Sequence, residues 1–387
     1  MRLERLEVAG FRNLANQVLP FPKRVTSLIG RNGQGKTSVL EAVYLLAHAK
    51  SFRSSRIREL VSWDKEKTGD LGSKGSGAPD CFVAGTVATA VGEKRLRCEI
   101  RGGKRSVFLN ENRIQSAGSF YGQLNCLVFT PDELQLVKGL PAGRRSFLDR
   151  LLAMSSHGYV EHLVAYQRAL KHRNKLLSQT GGTSSSGVRQ ALAAWDQVLA
   201  EHGAHVVQQR LQLTQALAEQ FSARYQRVAA GAKETVTLRF LSQCLEGTGP
   251  LAPAELVKRY QERWESDLRR RTTTFGVHRD DLGFFLESNK REHPARSSAS
   301  QGQARSIALS LKLSAIQVLR ERTEEDPVLL LDDVESELDA GRQQAFYDLL
   351  HEFSSQIIIT STDRSKFLDA ASVDAHVIEI HEGRISS

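Results

Sequence analysis

No segment constrains this chain more than Gly30-Arg31-Asn32-Gly33-Gln34-Gly35-Lys36-Thr37, which fits G-x-x-x-x-G-K-[ST]. Its context is the demanding part. Arg24 to Ile29 reads as an apolar strand leading in, and Thr37 to His48 as a helix leading out, with Val39, Ala42, Val43 and Leu46 on one face. The glycines let the backbone turn so that successive N–H groups face phosphate oxygens, and the positive end of the helix dipole adds to that field. Lys36 then reaches the β and γ phosphates, and the Thr37 hydroxyl binds Mg²⁺. ATP with Mg²⁺ is the expected ligand pair, held by residues 30–37.

About 300 residues later, Val328-Leu329-Leu330-Leu331 is an apolar run short enough for a buried strand, and it ends in Asp332-Asp333. Parallel α/β sheets place ligands at the carboxyl ends of their strands. Asp332 is expected to hold the metal beside Thr37, and Asp333 to orient or deprotonate the attacking water. Lys36 and Asp333 are the catalytic candidates. Without a P-loop such a pair reads as strand-end charge facing solvent.

A third signal is Ser300-Gln301-Gly302-Gln303, which opens a helical run with Ala304, Ile307, Ala308, Leu311 and Ala315 on one face. Ser followed three residues on by Gln is a capping box, and capping alone explains those two. It does not require Gly302, which costs about 1 kcal/mol inside a helix yet lets a phosphate approach closely. Ser300, Gly302 and Gln303 are therefore a second candidate anion site.

The 387 residues allow roughly two to three domains with their own cores. Hydrophobic residues at 40% and charged residues at 25% match a globular chain and exclude disordered or collagen-like classes. Strand patterns at Leu3 to Phe11 and an alternating meander from Phe82 to Leu109 predict a β-rich flank. Pro131 to about Arg271 is mostly helical, including Val160 to Leu177 and Ala191 to Tyr225, with a strand at Thr235 to Phe240. After Val277 the pattern returns to α/β: a strand near Leu282 to Leu286, a helix from Gln301 to about Arg320, a helix near Arg342 to Phe353, and a strand from Gln356 to Thr360. Asp64 to Asp80 and Ser178 to Gly187 read as exposed loops. The expected organisation is a split head, 1–130 with 276–387, and an inserted helical lobe, 131–275. Cys81, Cys98, Cys126 and Cys244 are scattered, with no C-x-x-C for zinc or thiol exchange. No apolar leader or spanning run is visible, so a cytoplasmic protein is expected.

A P-loop, an S-x-G-Q signature opening a helix, the apolar Asp-Asp strand and Ser336-Glu337-Leu338-Asp339 after it look like the ATPase heads of the ABC and SMC class. Within that class the chain resembles the RecF family. The resemblance rests on Gly10-Phe11-Arg12-Asn13-Leu14, Lys50-Ser51-Phe52-Arg53, Gly143-Arg144-Arg145-Ser146-Phe147-Leu148-Asp149, His278-Arg279-Asp280-Asp281 and Leu330 through Asp339. It implies an ABC/SMC-type P-loop head with a β-rich flank and an inserted helical lobe. It also implies an ATP-induced homodimer on gapped or single-stranded DNA, slow hydrolysis, and action with RecO and RecR to load RecA in repair, replication and the SOS response. In that dimer Ser300, Gly302 and Gln303 of one copy cover ATP on residues 30–37 of the other, with Asp339 beside it. Asp333 stands where most relatives carry Glu, Val277 where the family usually has Pro, and Thr362 where transporter-type proteins carry a His. The last difference argues against a transporter motor. The first keeps open an ATP-binding switch whose hydrolysis is incidental.

Lys and Arg exceed Asp and Glu by 53 − 44 = 9, a balance suited to a polyanionic partner. The clusters Arg144-Arg145, Arg168 to Lys175 and Arg269-Arg270-Arg271 with Arg279 supply the candidates for DNA contact: Arg144, Arg145, Arg173, Lys175, Arg270 and Arg279. Aromatics are sparse there, so backbone phosphates rather than bases are the expected contact.

Overall fold

Val25-Thr26-Ser27-Leu28-Ile29 is short and buried almost throughout, as a strand covered on both faces must be. In the computed structural model it forms β3 at the centre of a six-stranded sheet. The structure describes residues 1–62, 79–180, 185–229, 231–288, 291–334, 338–362 and 374–386. Backbone contacts divide the chain into two units. The first is Met1–Glu133 with Gln226–Gly231 and Ala308–Ser387; the second is Leu134–Tyr225 with Ala232–Ile307.

The central sheet of the first unit has the order β17-β16-β3-β15-β14-β8. Its strands are β3 (Val25–Ile29), β8 (Cys126–Phe129), β14 (Val328–Leu331), β15 (Ile357–Ser361), β16 (Ala375–His381) and β17 (Arg384–Ser386). All pair in parallel except β17, which returns antiparallel along β16. Ser361 sits level with Ile29, and Leu331 level with Ile359, so the carboxyl ends of β3, β15 and β14 open on the same edge.

A second, antiparallel sheet holds β1 (Arg2–Ala9), β2 (Gln17–Pro20), β4 (Cys81–Thr89), β5 (Gly92–Arg101), β6 (Lys104–Leu109) and β7 (Asn112–Arg113), in the order β2-β1-β4-β5-β6-β7. Between the sheets lies α1 (Lys36–His48). The sequence suggests one apolar face for this helix, but every residue except Thr37 is buried. Leu3, Leu6, Val83 and Leu96 of the antiparallel sheet and Leu28, Val328, Leu330 and Ile358 of the parallel one share a core with Val39, Leu40, Val43 and Leu46. A helix covered on both sides must be apolar nearly all round. Each such aliphatic side chain contributes about 1.5–3 kcal/mol by leaving water. The Gln356 amide stitches the two sheets, accepting from the Leu3 N–H and donating to the Leu3 carbonyl, both at 2.8 Å.

In the second unit, α2 (Pro141–Ser155), α3 (Tyr159–Gln179) and the helix α4 (Ser186–Val228) supply most of the helical segment. Leu177, Leu192 and Leu268 form one apolar cluster there. The strand expected near Leu282 to Leu286 does form, as β12 (Asp281–Ser288). It joins β9 (Thr235–Leu241) and β13 (Arg291–Pro294) in a sheet of this unit rather than extending either sheet of the first. The second unit therefore runs to Ile307, past the 275 expected for the lobe. Residues 63–78, covering most of the first expected loop, and 181–184, within the second, lie outside the described residues, while Ser178 and Gln179 belong to α3 and Ser186 and Gly187 to α4. All four cysteines are buried and unbridged, and burial pushes the Cys81, Cys98 and Cys244 thiols up to about 12, which leaves them inert fillers.

Candidate functional site

The turn after β3 depends on two glycines that no other residue replaces. Gly30 has φ +156, and a Cβ there would lie 2.4 Å from the Ile380 carbonyl; Gly35 has φ +112, and its Cβ would lie 2.9 Å from a Leu14 methyl. The loop between them is held from both sides. Asn13 Nδ2 donates to the Gly33 carbonyl at 3.1 Å while Asn13 Oδ1 accepts from Ser38 Oγ at 2.8 Å. Opposite, the Gly383 N–H donates to the Gln34 carbonyl at 2.8 Å, and the Glu382 N–H donates to Gln34 Oε1. The Gln34 side chain thus anchors the loop to the β16–β17 turn, whereas Arg31 and Asn32 are exposed.

Lys36 Nζ donates to the Gly30 carbonyl and, at 3.0 Å, to the Arg31 carbonyl. Burial lowers its pKa, against the pull of Asp333 and Asp332. Thr37 Oγ1 donates to Asp332 Oδ1 at 2.8 Å. Thr360, at the end of β15, donates to the same oxygen at 3.1 Å and accepts from the Asp333 N–H at 3.0 Å. Burial raises the Asp332 carboxyl, while the two hydroxyls and Arg53 oppose that rise. Asp333 is exposed and has φ +49, an unusual backbone for a non-glycine residue and one common at working sites. These residues line one cavity of about 470 Å³, together with Asn32, Gly33, Pro131 and Thr362.

Two arginines in that cavity escape sequence reasoning. Arg12 makes a bidentate pair with Glu41, at 2.9 and 2.6 Å, and Arg53 lies 3.6 Å from the same carboxylate, which also accepts from Ser51. Glu41 is fully buried on α1, one turn beyond Thr37, and Arg53 is 46% exposed. Both arginines line the cavity. They stand in the segments 10–14 and 50–53 that carry the family resemblance, but nothing in their spacing marks them as a pair.

Ser300, Gly302 and Gln303 stand in the second unit, and the capping box forms. The Ser300 N–H donates to Gln303 Oε1 at 2.8 Å, and the Gln303 N–H donates to Ser300 Oγ at 3.2 Å, at the head of α5 (Gln301–Thr323). Ser300 is exposed. Asp339 caps the helix Ala340–His351 by accepting from the Arg342 N–H at 3.0 Å; it does not line the cavity. Ser336 and Glu337 lie outside the described residues.

The basic candidates divide, and two are corrected. Arg173 is 0% exposed, with Nε on Asp196 at 2.8 Å and Nη1 on Asp267 at 2.7 Å, so it is no DNA contact. Arg144, 2% exposed, is bound bidentately by Asp281 at 2.7 and 2.8 Å and is likewise no DNA contact. Arg145 is half-buried and donates to the Asp280 carbonyl at 2.8 Å. Lys175, Arg270 and Arg279 are exposed, Arg279 also donating to the Thr273 carbonyl.

Among the described residues no helix is long and apolar enough to cross a membrane. The family model described as RecF/RecN/SMC N terminal domain matches residues 2–386. The chain is 34% identical to the DNA replication and repair protein RecF of Lactobacillus delbrueckii subsp. bulgaricus, over 100% of this chain and 97% of that one. Identity to RecF of Myxococcus xanthus is also 34%, with the same coverage. A solved structure of the recombination mediator protein RecF with ATP, in the RecFOR pathway, superposes with a TM-score of 0.85 at 31% identity, covering 99% of this chain and 96% of that one. The fold is that of an SMC-type ATPase head, and the chain belongs to the RecF family of DNA replication and repair proteins within the RecF/RecN/SMC group.

Proposed function

We propose that the chain binds ATP with Mg²⁺ in the cavity around Lys36 and dimerises through it on gapped or single-stranded DNA. It hydrolyses the nucleotide slowly, with DNA as stimulant, and acts with RecO and RecR to load RecA. The observation that carries this reading is the Thr37–Asp332 contact at 2.8 Å, one residue beyond the P-loop lysine. A hydroxyl and a carboxylate oxygen side by side suit a hard cation such as Mg²⁺. The metal, when bound, supplies charge that offsets the phosphates.

The chain's own groups divide the remaining work. Backbone N–H groups of 30–37 and the Lys36 ammonium orient the phosphates, and Arg12 and Arg53 add two guanidinium groups to the same wall. Asp333, exposed in the cavity, orients the attacking water. Ser300, Gly302 and Gln303 grip the nucleotide held by a second copy; the exposure of Ser300 supports this, since a serine buried in its own core would be out of reach. Arg145, Lys175, Arg270 and Arg279 remain as DNA contacts.

Nucleotide binding and light scattering test the sandwich. Lys36→Ala should weaken ATP binding, while Ser300→Ala should keep ATP and stay monomeric. Normal ATP-dependent dimerisation of Ser300→Ala would refute the shared site. A second reading, an ATP-binding DNA switch with incidental hydrolysis, is favoured by the one-methylene shortfall of Asp333 against Glu. Single-turnover hydrolysis that DNA does not alter would select it.

A further inference from the structure

The signature turn carries one contact that a capping box does not need. Gln303 uses its carbonyl oxygen to accept from the Ser300 N–H, so its NH₂ faces away from the turn. The capping box itself makes no use of that NH₂. Here Gln303 Nε2 donates to Glu234 Oε1 at 2.8 Å, and the buried Tyr225 hydroxyl donates to the same oxygen at 2.9 Å. Glu234 stands immediately before β9, and Tyr225 near the end of α4, so two elements distant in sequence converge on one amide.

An ionised carboxylate only accepts, and a backbone N–H only donates. An amide placed between them has one satisfying orientation, oxygen toward Ser300 and nitrogen toward Glu234. The Gln303 N–H then occupies one lone pair of Ser300 Oγ, which turns the hydroxyl proton away from the helix. That is the proton an anion facing the turn would receive. Partial burial pushes the Glu234 carboxyl up, but hydrogen bonds from Gln303, from its own and the Lys233 backbone and from Tyr225 hold it below the usual carboxylate range.

We infer that Glu234 is a positioning residue for the signature turn: it fixes the Gln303 amide, and through it the Ser300 hydroxyl, in the pose that meets the second copy's nucleotide. This inference rests on the sandwich reading above. It assigns Glu234 no contact with the nucleotide.

The test measures ATP- and Mg²⁺-dependent dimerisation of the full chain by sedimentation over a protein concentration series. Fluorescent-ATP affinity at dilute protein and thermal melting are read alongside. Glu234→Ala should raise the concentration for half-dimerisation about tenfold, the scale of one hydrogen bond to a charged acceptor. Monomer ATP affinity should not move. Glu234→Gln keeps an acceptor and should recover most of the loss. Because Glu234 acts through Gln303, adding Glu234→Ala to Gln303→Ala should cost nothing further. Glu234→Met, similar in size and unable to accept from the amide, replaces the alanine variant if that unfolds. Parental dimerisation of the Glu234 variant, or losses that add in the double variant, would overturn the inference. Ser300→Ala run in parallel separates the two levels: if it dimerises normally the sandwich fails, and if it alone is impaired only the role of Glu234 fails.

Discussion

Arginine meets carboxylate in both units of this molecule, with opposite arithmetic. In the first unit Arg12 and Arg53 share the single buried carboxylate of Glu41. In the second, Arg173 sits between Asp196 and Asp267, and Arg210 between Asp149 and Asp280. Two cations on one anion leave positive charge facing a cavity. Two anions around one cation close the set and leave nothing for a ligand. In this molecule a paired arginine still faces a cavity where arginines outnumber the carboxylate they share. Burial alone does not decide it, because Arg12 is only 12% exposed yet lines the cavity around Lys36.

The closed set gives the largest expected effect. Arg173→Ala leaves Asp196 and Asp267 buried without their shared guanidinium, and breaking such a set costs about 3–5 kcal/mol. Denaturant or thermal unfolding should register that loss. A variant as stable as the parent would show that the set is a bystander and break the contrast. The open set predicts the reverse split. Lys36→Ala removes a charged donor from the cavity, and nucleotide affinity should fall roughly 10- to 100-fold, the worth of about 1.5–3 kcal/mol per charge-assisted hydrogen bond. Its melting temperature should stay near the parent's, because half of what it touches is exposed loop.

The second unit also sets a pH dependence of known sign. Burial pushes the Asp280 carboxyl up to about 6, against Arg210 and the Ser242 hydroxyl. A raised folded pKa means that the folded chain holds this proton more tightly than the unfolded chain, whose value is about 3.9. The contribution of Asp280 to stability is therefore greatest in acid, declines as pH rises from about 4 to 6, and is flat above that window. Asp280→Asn removes the titration, so the stability difference between parent and variant should change across that window and not above it. A difference that is constant from pH 4 to 7 would show that Arg210 fully compensates the buried charge.

The sequence made the local half of this picture legible and hid the distant half. The P-loop, the capping box and the Val328–Leu331 strand depend on spacings of a few residues, and all three form at the expected positions. The short strands β8, β16 and β17 leave no clear mark in the sequence, because periods over three to seven residues barely separate strand from loop. The antiparallel meander was readable, but the partner of β12 was not, since Leu282 pairs with Phe240 and no local pattern chooses between sheets. Arg173 failed for the same reason. Its partners lie 23 and 94 residues away, while its neighbours Lys171 and Lys175 are exposed. Glu41 is the converse case, a charge in the apolar stretch of α1 that makes sense only once Arg12 and Arg53 fold onto it.

The finest test of the contrast lies on Arg12. Its Nε and Nη2 meet the two Glu41 oxygens at 2.9 and 2.6 Å, a planar fork that a lysine ammonium does not reproduce. Arg12→Lys keeps the charge in the cavity and loses only its fixed direction. If position rather than net charge is what Glu41 provides, nucleotide affinity should fall by about 1 kcal/mol, roughly fivefold, with little change in melting. Unchanged affinity would mean that the cavity needs positive charge alone, and the buried carboxylate would then be no more than the counterion that lets two arginines stand side by side.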